Sequence, residues 1–354
     1  MNKTIQTTRS QRSPILVALL FLLLSVVSQC AWADGAFFSS YGKDIYEPSQ
    51  KALIFYDSAR QREDLIIQAG FEGNTTDFAW VVPVPSLPDL DTADNQLFEE
   101  CYSLTKPLSR KRGSMWGCSR DSDTPTKTGG RDDIHIYDEQ LVGIYQTLTV
   151  GADDGATLAD SLEAWGYLHQ ENRGEAEAAL QFYINKSWYF VAMKVDPSSS
   201  VWNSNAGGYW HGGLDPIRFS FDTEQIVYPM RISALSAMDQ TEVLLYVCDS
   251  HRTTVDRATT EYANRIDEIE LDHIQRLYPH LGEVLTGPCF FTKLRRTFTI
   301  DEMDDDIHFE RAQSDAEFRE INYTGLPFTE ILLVAMIGIT ISGVRYYERK
   351  RLSA

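Results

Sequence analysis

The sequence predicts an α+β fold, mainly antiparallel β-sheet with inserted helices, plus one C-terminal transmembrane helix. Three observations predict it. Short runs alternate with period two, as where Ile217, Phe219 and Phe221 share one face and Arg218, Ser220 and Asp222 the other. Helical spacings are inserted between groups of such runs rather than after every strand. Residues 326–344, from Leu326 to Val344, form a 19-residue apolar stretch followed at once by Arg345, Arg349, Lys350 and Arg351.

The chain opens on a targeting segment. Lys3, Arg9 and Arg12 precede a 13-residue run, 15–27, that is apolar apart from Ser25. As a helix this run spans only about 20 Å, short for a bilayer. Ala31-Trp32-Ala33 fits the small-x-small cleavage rule, so residues 1–33 read as a signal peptide cleaved between Ala33 and Asp34. Cys30 opens a lipoprotein alternative, although Gln29 stands where a lipobox wants a small residue. At the other end, residues 326–344 span roughly 28 Å as a helix, close to the hydrocarbon thickness. The alternative is a buried core helix, and the basic cluster directly after the stretch argues against it. By the positive-inside rule residues 345–354 are a cytoplasmic tail and residues 34–325 lie outside.

Between these ends, strands and helices are expected in order. Residues 51–56 and 64–71 are apolar runs separated by a polar turn around Arg60-Gln61-Arg62, a hairpin. Phe78-Ala79-Trp80-Val81-Val82 suits a buried strand, which Pro83 and Pro85 end or place at an edge. Residues 95–104 read as a short helix with Leu97, Phe98, Cys101 and Leu104 on one stripe. Residues 105–133 are polar and nearly free of aliphatics, a long loop that can separate two lobes. Strand character returns over 134–150. Thr157 with Asp160 resembles a capping box opening a helix that runs to about Trp165, and residues 175–183 form a second helix. Four strands follow, over 189–195, 217–222, 226–232 and 242–248, implying an antiparallel sheet with one wet face. A longer helix is expected from about Ala258, with Tyr262, Ile266, Ile269, His273, Leu277 and Leu281 on one stripe and Pro279 ending or kinking it. Residues 290–300 alternate again as a strand.

Charge and cysteine usage narrow the function classes. Of 32 basic residues three precede Ala33 and four follow Val344; of 51 acidic residues only Glu330 and Glu348 lie outside 34–325. The region between therefore carries a net charge of −24. Such a surface repels phosphate backbones, so a nucleic-acid partner is disfavoured. Cys101, Cys118, Cys248 and Cys289 remain after the signal, an even count that suggests two disulfides with three possible connectivities. The favoured pairing is Cys101–Cys118 with Cys248–Cys289. The first bond closes a loop containing Arg110, Lys111, Arg112 and Gly113, worth roughly 3 kcal/mol in the chain-entropy model. No C-x-x-C pair signals zinc.

Three blocks carry a family resemblance: Phe78-Ala79-Trp80-Val81-Val82-Pro83-Val84-Pro85; Pro216-Ile217-Arg218-Phe219-Ser220-Phe221 with Val227-Tyr228-Pro229-Met230-Arg231-Ile232; and Phe291-Thr292-Lys293-Leu294-Arg295. Spread over most of residues 37–310, they resemble an uncharacterised bacterial family, the domain-of-unknown-function family 2330. The resemblance implies an exported protein, often with a C-terminal anchor, and a shared fold. It implies no activity and carries over no functional residue. Separately, Leu326-Pro327-Phe328-Thr329-Glu330 resembles a sortase sorting signal, departing from it at Glu330, where that signal has Gly. Sortase-processed cell-wall attachment is thus an alternative location.

Candidate chemistry is sparse. Asp249-Ser250-His251-Arg252 is the densest reactive cluster, but sequence neighbours on an extended chain point apart. Tyr209-Trp210-His211-Gly212-Gly213 is similar to an esterase oxyanion loop, yet its Gly-x-Ser-x-Gly companion is absent from the chain. A Gly-rich aromatic loop between strands, open to a carbohydrate or protein partner, is the plainer reading. Asp301, Glu302, Asp304, Asp305 and Asp306 concentrate carboxylates as calcium sites do, without EF-hand spacing or its central glycine; the plainer reading is a solvated acidic turn. No Walker motif, G-x-G-x-x-G or H-E-x-x-H occurs, and no cofactor is expected. The resulting expectation is an exported, membrane-anchored, non-enzymatic binding or scaffolding module at the cell surface. Its partners are the membrane, through residues 326–344, and an envelope or protein ligand. A cell-envelope or extracellular hydrolase using Asp249, His251 and His211 is the alternative.

Overall fold

Strands that read as unbroken apolar runs lie innermost, because both of their faces are covered. The computed structural model describes residues 36–39, 43–111, 140–165, 168, 173–195, 203–204 and 209–324. In chain order come β1 (Ala36–Ser39), β2 (Ile45–Asp57), β3 (Arg62–Gly73), β4 (Phe78–Val84) and β5 (Asp89–Thr92). Helix α1 (Gln96–Thr105) and strand β6 (Leu108–Lys111) follow. Next are β7 (Gln140–Val142), β8 (Tyr145–Val150), α2 (Gly155–Ala164) and α3 (Arg173–Ile184). Strands β9 (Tyr189–Val195), β10 (Asn203–Ser204), β11 (Trp210–Gly213) and β12 (Ile217–Asp222) precede β13 (Gln240–Asp249), β14 (Thr253–Val255) and β15 (Thr259–Ile266). The last elements are α4 (Glu268–Leu277), α5 (Pro279–Val284), β16 (Cys289–Thr299), β17 (Phe309–Arg311), β18 (Phe318–Arg319) and β19 (Ile321–Thr324).

Two sheets dominate. A five-stranded antiparallel sheet has the order β1-β4-β9-β8-β7, and a ten-stranded sheet has the order β10-β11-β3-β2-β13-β16-β15-β18, with β12 pairing β3 and β5. Between the sheets lies the main core, built from Trp80, Val82 and Met193 of the first and Ile54, Leu65, Ile67, Phe219 and Val247 of the second. The outer face of the small sheet is covered by α2 and α3 through Leu158, Leu162, Leu180 and Tyr183. The outer face of the large sheet is covered by α1, α4 and α5 through Leu97, Phe98, Ile274 and Leu281. The order of layers is helix, sheet, sheet, helix. Each core strand thus alternates between two apolar layers: Trp80 and Val82 point inward while Ala79 and Val81 meet the helices.

The α+β expectation is met, and several elements are corrected. The large sheet is mixed, since β2 and β13 run parallel, and both its faces carry apolar layers where one wet face was expected. Residues 226–232 form no strand. Tyr228, Met230 and Ile232 are buried, but Pro229 has no N–H to donate and the Val227 N–H is taken by the Glu63 carboxyl at 2.8 Å. A 3-10 turn over Arg231–Leu235 follows instead. The helix expected from Ala258 is strand β15 up to Ile266, then α4, whose Asp267 cap accepts from the Ile269 and Glu270 N–H groups. Its buried side is Ile274, whereas Ile269 and Leu277 are 81% and 57% exposed. Pro279 ends α4 as expected by standing at the first position of α5. Helix α2 is capped by Asp154, which accepts from the Thr157 N–H at 2.7 Å, rather than by Thr157. Pro83 sits within β4, opposite Phe190 of β9; on the other side β1 pairs only as far as Val81, so that end of β4 is an edge.

The signal segment, the cleavage residues Ala33 and Asp34, Cys118, the loop beyond Lys111 up to residue 139, and residues 325–354 lie outside the described residues. Among the described residues no helix is long and apolar enough to cross a membrane.

Candidate functional site

The helix-facing side of the large sheet is not wholly apolar, and where its apolar cover stops a cleft of about 490 Å³ opens. Its floor comes from alternate residues of neighbouring strands. Asp64 on β3 stands opposite Ser220 on β12, and Arg218 lies two residues along on the same face. Phe55 of β2 and Cys248 of β13 continue the floor, and the α5–β16 connection, from Leu285 to Cys289, forms one rim. The β2–β3 turn, with Asp57, Arg60 and Arg62, forms the opposite rim.

The charged groups in the cleft hold one another. Asp64 accepts from the Ser220 hydroxyl and, at 2.7 Å, from an Arg218 terminal nitrogen. Arg62 donates to Asp89 at 2.7 Å and to Asp222 at 3.3 Å. The Tyr56 hydroxyl donates to the Glu224 carbonyl, and burial followed by the nearby Glu63 carboxyl pushes it up. One group is left over: the Arg218 Nε–H is buried and has no acceptor among the described residues. Burying a guanidinium donor without an acceptor costs free energy that an incoming oxygen would recover.

Asp249 and Ser250 line this cleft as well. Their side chains meet each other, Ser250 Oγ donating to Asp249 Oδ1 at 3.2 Å. His251 points elsewhere. Its Nδ1 lies 2.9 Å from Asp315 Oδ2, and Asp315 also accepts from the Arg252 N–H at 3.0 Å. Those two bonds, His251 first, hold the Asp315 carboxyl below its usual range. The cluster therefore splits: Asp and Ser face the cleft, and His forms a dyad with a carboxylate that does not line it. Asp315 carried no sequence signal, being 64 positions from His251.

His211 is exposed on β11, at the wall of a second, shallower cleft of about 390 Å³ with Gly212 and Gly213. The Ser49 side chain occupies the space that a Gly70 side chain would take; a Cβ there would lie 2.3 Å from Ser49 Oγ. Neither cleft brings His211 to Asp249 or His251.

The acidic turn is tied down by separate partners. Glu302 closes a capping box with Thr299 and pairs with Arg257, and the Thr299 N–H is the main cause of its lowered carboxyl pKa. Asp306 accepts from the Tyr183 hydroxyl at 2.6 Å and from Lys186 at 2.9 Å. Asp305 meets His308 at 3.1 Å, Arg231 donates to the Asp304 carbonyl, and Asp301 is exposed. Among the described residues no three His, Cys, Asp or Glu side chains converge as a metal site.

Cys101, Cys248 and Cys289 are free thiols. Cys101, on the inward side of α1, is fully buried, and burial pushes its thiol far up.

Compared with known proteins, the chain matches one family model, described as "Uncharacterized protein conserved in bacteria (DUF2330)", over residues 26–310. No curated protein and no solved structure matches.

Proposed function

Because the chain belongs to this uncharacterised bacterial family over residues 26–310, which fixes no activity, we propose a role from its own residues: an exported, membrane-anchored binding module. The signal-like N-terminus, the apolar residues 326–344 and the basic tail support a single pass with the large region outside and the C-terminus in the cytoplasm. The binding site is the cleft over Asp64, Arg218 and Ser220, and its ligand carries an anionic oxygen, as a carboxylate or phosphate does. The observation that carries this reading is the buried Arg218 Nε–H without an acceptor beside a cleft of about 490 Å³. Among the described residues no histidine lines this cleft, and Ser220 and Ser250 are held by the carboxylates of Asp64 and Asp249.

A thermal-shift screen of the purified full-length protein against small carboxylates and phosphates tests it. Ligands that raise Tm in the native protein are expected to lose their effect in Arg218→Gln. Equal shifts in both would move the site elsewhere. A reporter fused after Ala354 is expected to be active only in the cytoplasm; activity outside would overturn the topology. Loss of residues beyond Thr329 from the mature protein would favour sortase-like processing.

A second reading, a hydrolase acting on envelope or extracellular material, draws on the His251–Asp315 hydrogen bond. It requires a pH-dependent esterase or amidase activity that His251→Gln abolishes.

A further inference from the structure

We infer that Cys248 and Cys289 form a reversible disulfide across the wall of the cleft, made and broken by thiol–disulfide exchange, that fixes the rim facing Arg218. This deepens the binding proposal and rests on it only for the consequence, not for the bond.

Register supplies the first argument. Cys248 of β13 stands opposite Phe291 of β16, and Cys289 is two residues before Phe291 on the same strand. Side chains two apart on a strand share a face, so both thiols point to the helix side of the large sheet. There they share one apolar layer, Cys248 buried in it and Cys289 packed against it. A diagonal cross-strand pair stands about 7–8 Å apart, at the outer edge of the disulfide range, so the bond closes with a small backbone adjustment where the rim enters β16.

Exposure supplies the second. Cys289 is partly exposed where the rim enters β16, whereas Cys248 is 3% exposed. Both line the cleft. An external disulfide therefore reaches Cys289 first. The Cys289 thiolate attacks it, forming a mixed disulfide and releasing one donor thiolate. Cys248 then loses its proton and attacks the Cys289 sulfur, expelling the second donor thiolate. The two cysteines are oxidised by two electrons, and the donor, a small or protein disulfide of the exterior, is reduced to two thiols. Burial, then the Cys289 contact, raises the Cys248 thiol, so it is the slower of the two and enters only in the second, intramolecular step.

Position supplies the consequence. Cys289 directly follows the rim residues Thr286, Gly287 and Pro288. Tying it to β13 clamps that rim to the cleft floor. Reduction frees it and changes access to Arg218.

The test uses the purified full-length protein equilibrated in reduced or oxidised glutathione, then alkylated and mapped by mass spectrometry. In the oxidised sample a linked peptide pair containing Cys248 and Cys289 is expected, with Cys101 still alkylated after unfolding. Amide exchange at Thr286 and Gly287 is expected to slow about tenfold or more on oxidation, because local opening is restricted. Cys101→Ala keeps the bond; Cys289→Ser and Cys248→Ala each lose both the pair and the slowing. Both cysteines being alkylated once the oxidised protein is unfolded overturns the inference. So does Cys248 or Cys289 linking to another cysteine. Absence of any ligand effect with the bond present sinks the binding proposal and leaves the bond standing.

Discussion

Glu63, buried, and Glu261, partly buried, are carboxyls on the same ten-stranded sheet, and their environments drive them in opposite directions. Glu63 continues the inward row of β3 into the core between the sheets, with the Val227 N–H as its hydrogen-bond donor. Its burial pushes the carboxyl well above the usual range and favours the protonated form. Glu261 also suffers desolvation, but Arg295 and Lys293 outweigh it and hold its carboxyl low. Lys293, itself 1% exposed, reaches Glu261 at 2.7 Å, and Arg295 bridges Glu261 to Glu242. Depth alone does not set the charge state; the cation within reach does.

The comparison breaks most readily at Lys293. Lys293→Met leaves Glu261 partly buried without its ammonium, and a loss of about 3–5 kcal/mol is expected in urea unfolding. An effect below about 1 kcal/mol would mean that Arg295 neutralises Glu261 unaided.

The next largest effect is pH-dependent. Because the Glu63 carboxyl is raised in the folded state, its contribution is complete below the unfolded carboxyl value of about 4.3 and is lost as pH climbs through its raised folded value. Glu261 contributes above the unfolded value and loses it as pH falls through its lowered folded value. Glu63→Gln is therefore expected to match the native protein near pH 5 and to exceed it by about 1 kcal/mol or more at pH 8. Parallel stability curves for the two would remove Glu63 from the argument.

A carboxylate served by backbone donors sits between these cases. Asp267→Ala removes the cap of α4 and should cost about 1 kcal/mol, read as a shift in unfolding midpoint without a change in slope. Smallest is the exposed pair Asp272 and Arg276, 2.6 Å apart, where Asp272→Ala should change stability by about 0.3–0.5 kcal/mol at low salt and less at high salt.

Much of the fold was legible where pattern and burial coincide. The alternation in β12 placed Ile217, Phe219 and Phe221 correctly against Arg218 and Ser220, and the stripe of α1 put Leu97, Phe98 and Cys101 inward. Residues 258–266 misled because Tyr262 and Ile266 are four apart, which suits a helix, whereas β15 carries both on one face of the sheet. The strand at 226–232 failed on hydrogen bonding rather than hydrophobicity. The cleft was mostly hidden: Asp249 was a candidate, but Asp64 meets Arg218 and Ser220 across more than 150 positions, a pairing that no local spacing encodes.

The parallel pairing of β2 with β13 sets an order of events for the growing polypeptide. Glu242 pairs with Ser49 and Cys248 with Phe55, so the centre of the large sheet joins segments nearly two hundred positions apart. A chain emerging from its N-terminus presents the β2–β3 hairpin with a long row of open amide and carbonyl groups until Gln240 arrives. Fragments that stop short of β13 therefore carry a sticky, unclosed edge, and useful dissection of this protein keeps both strands.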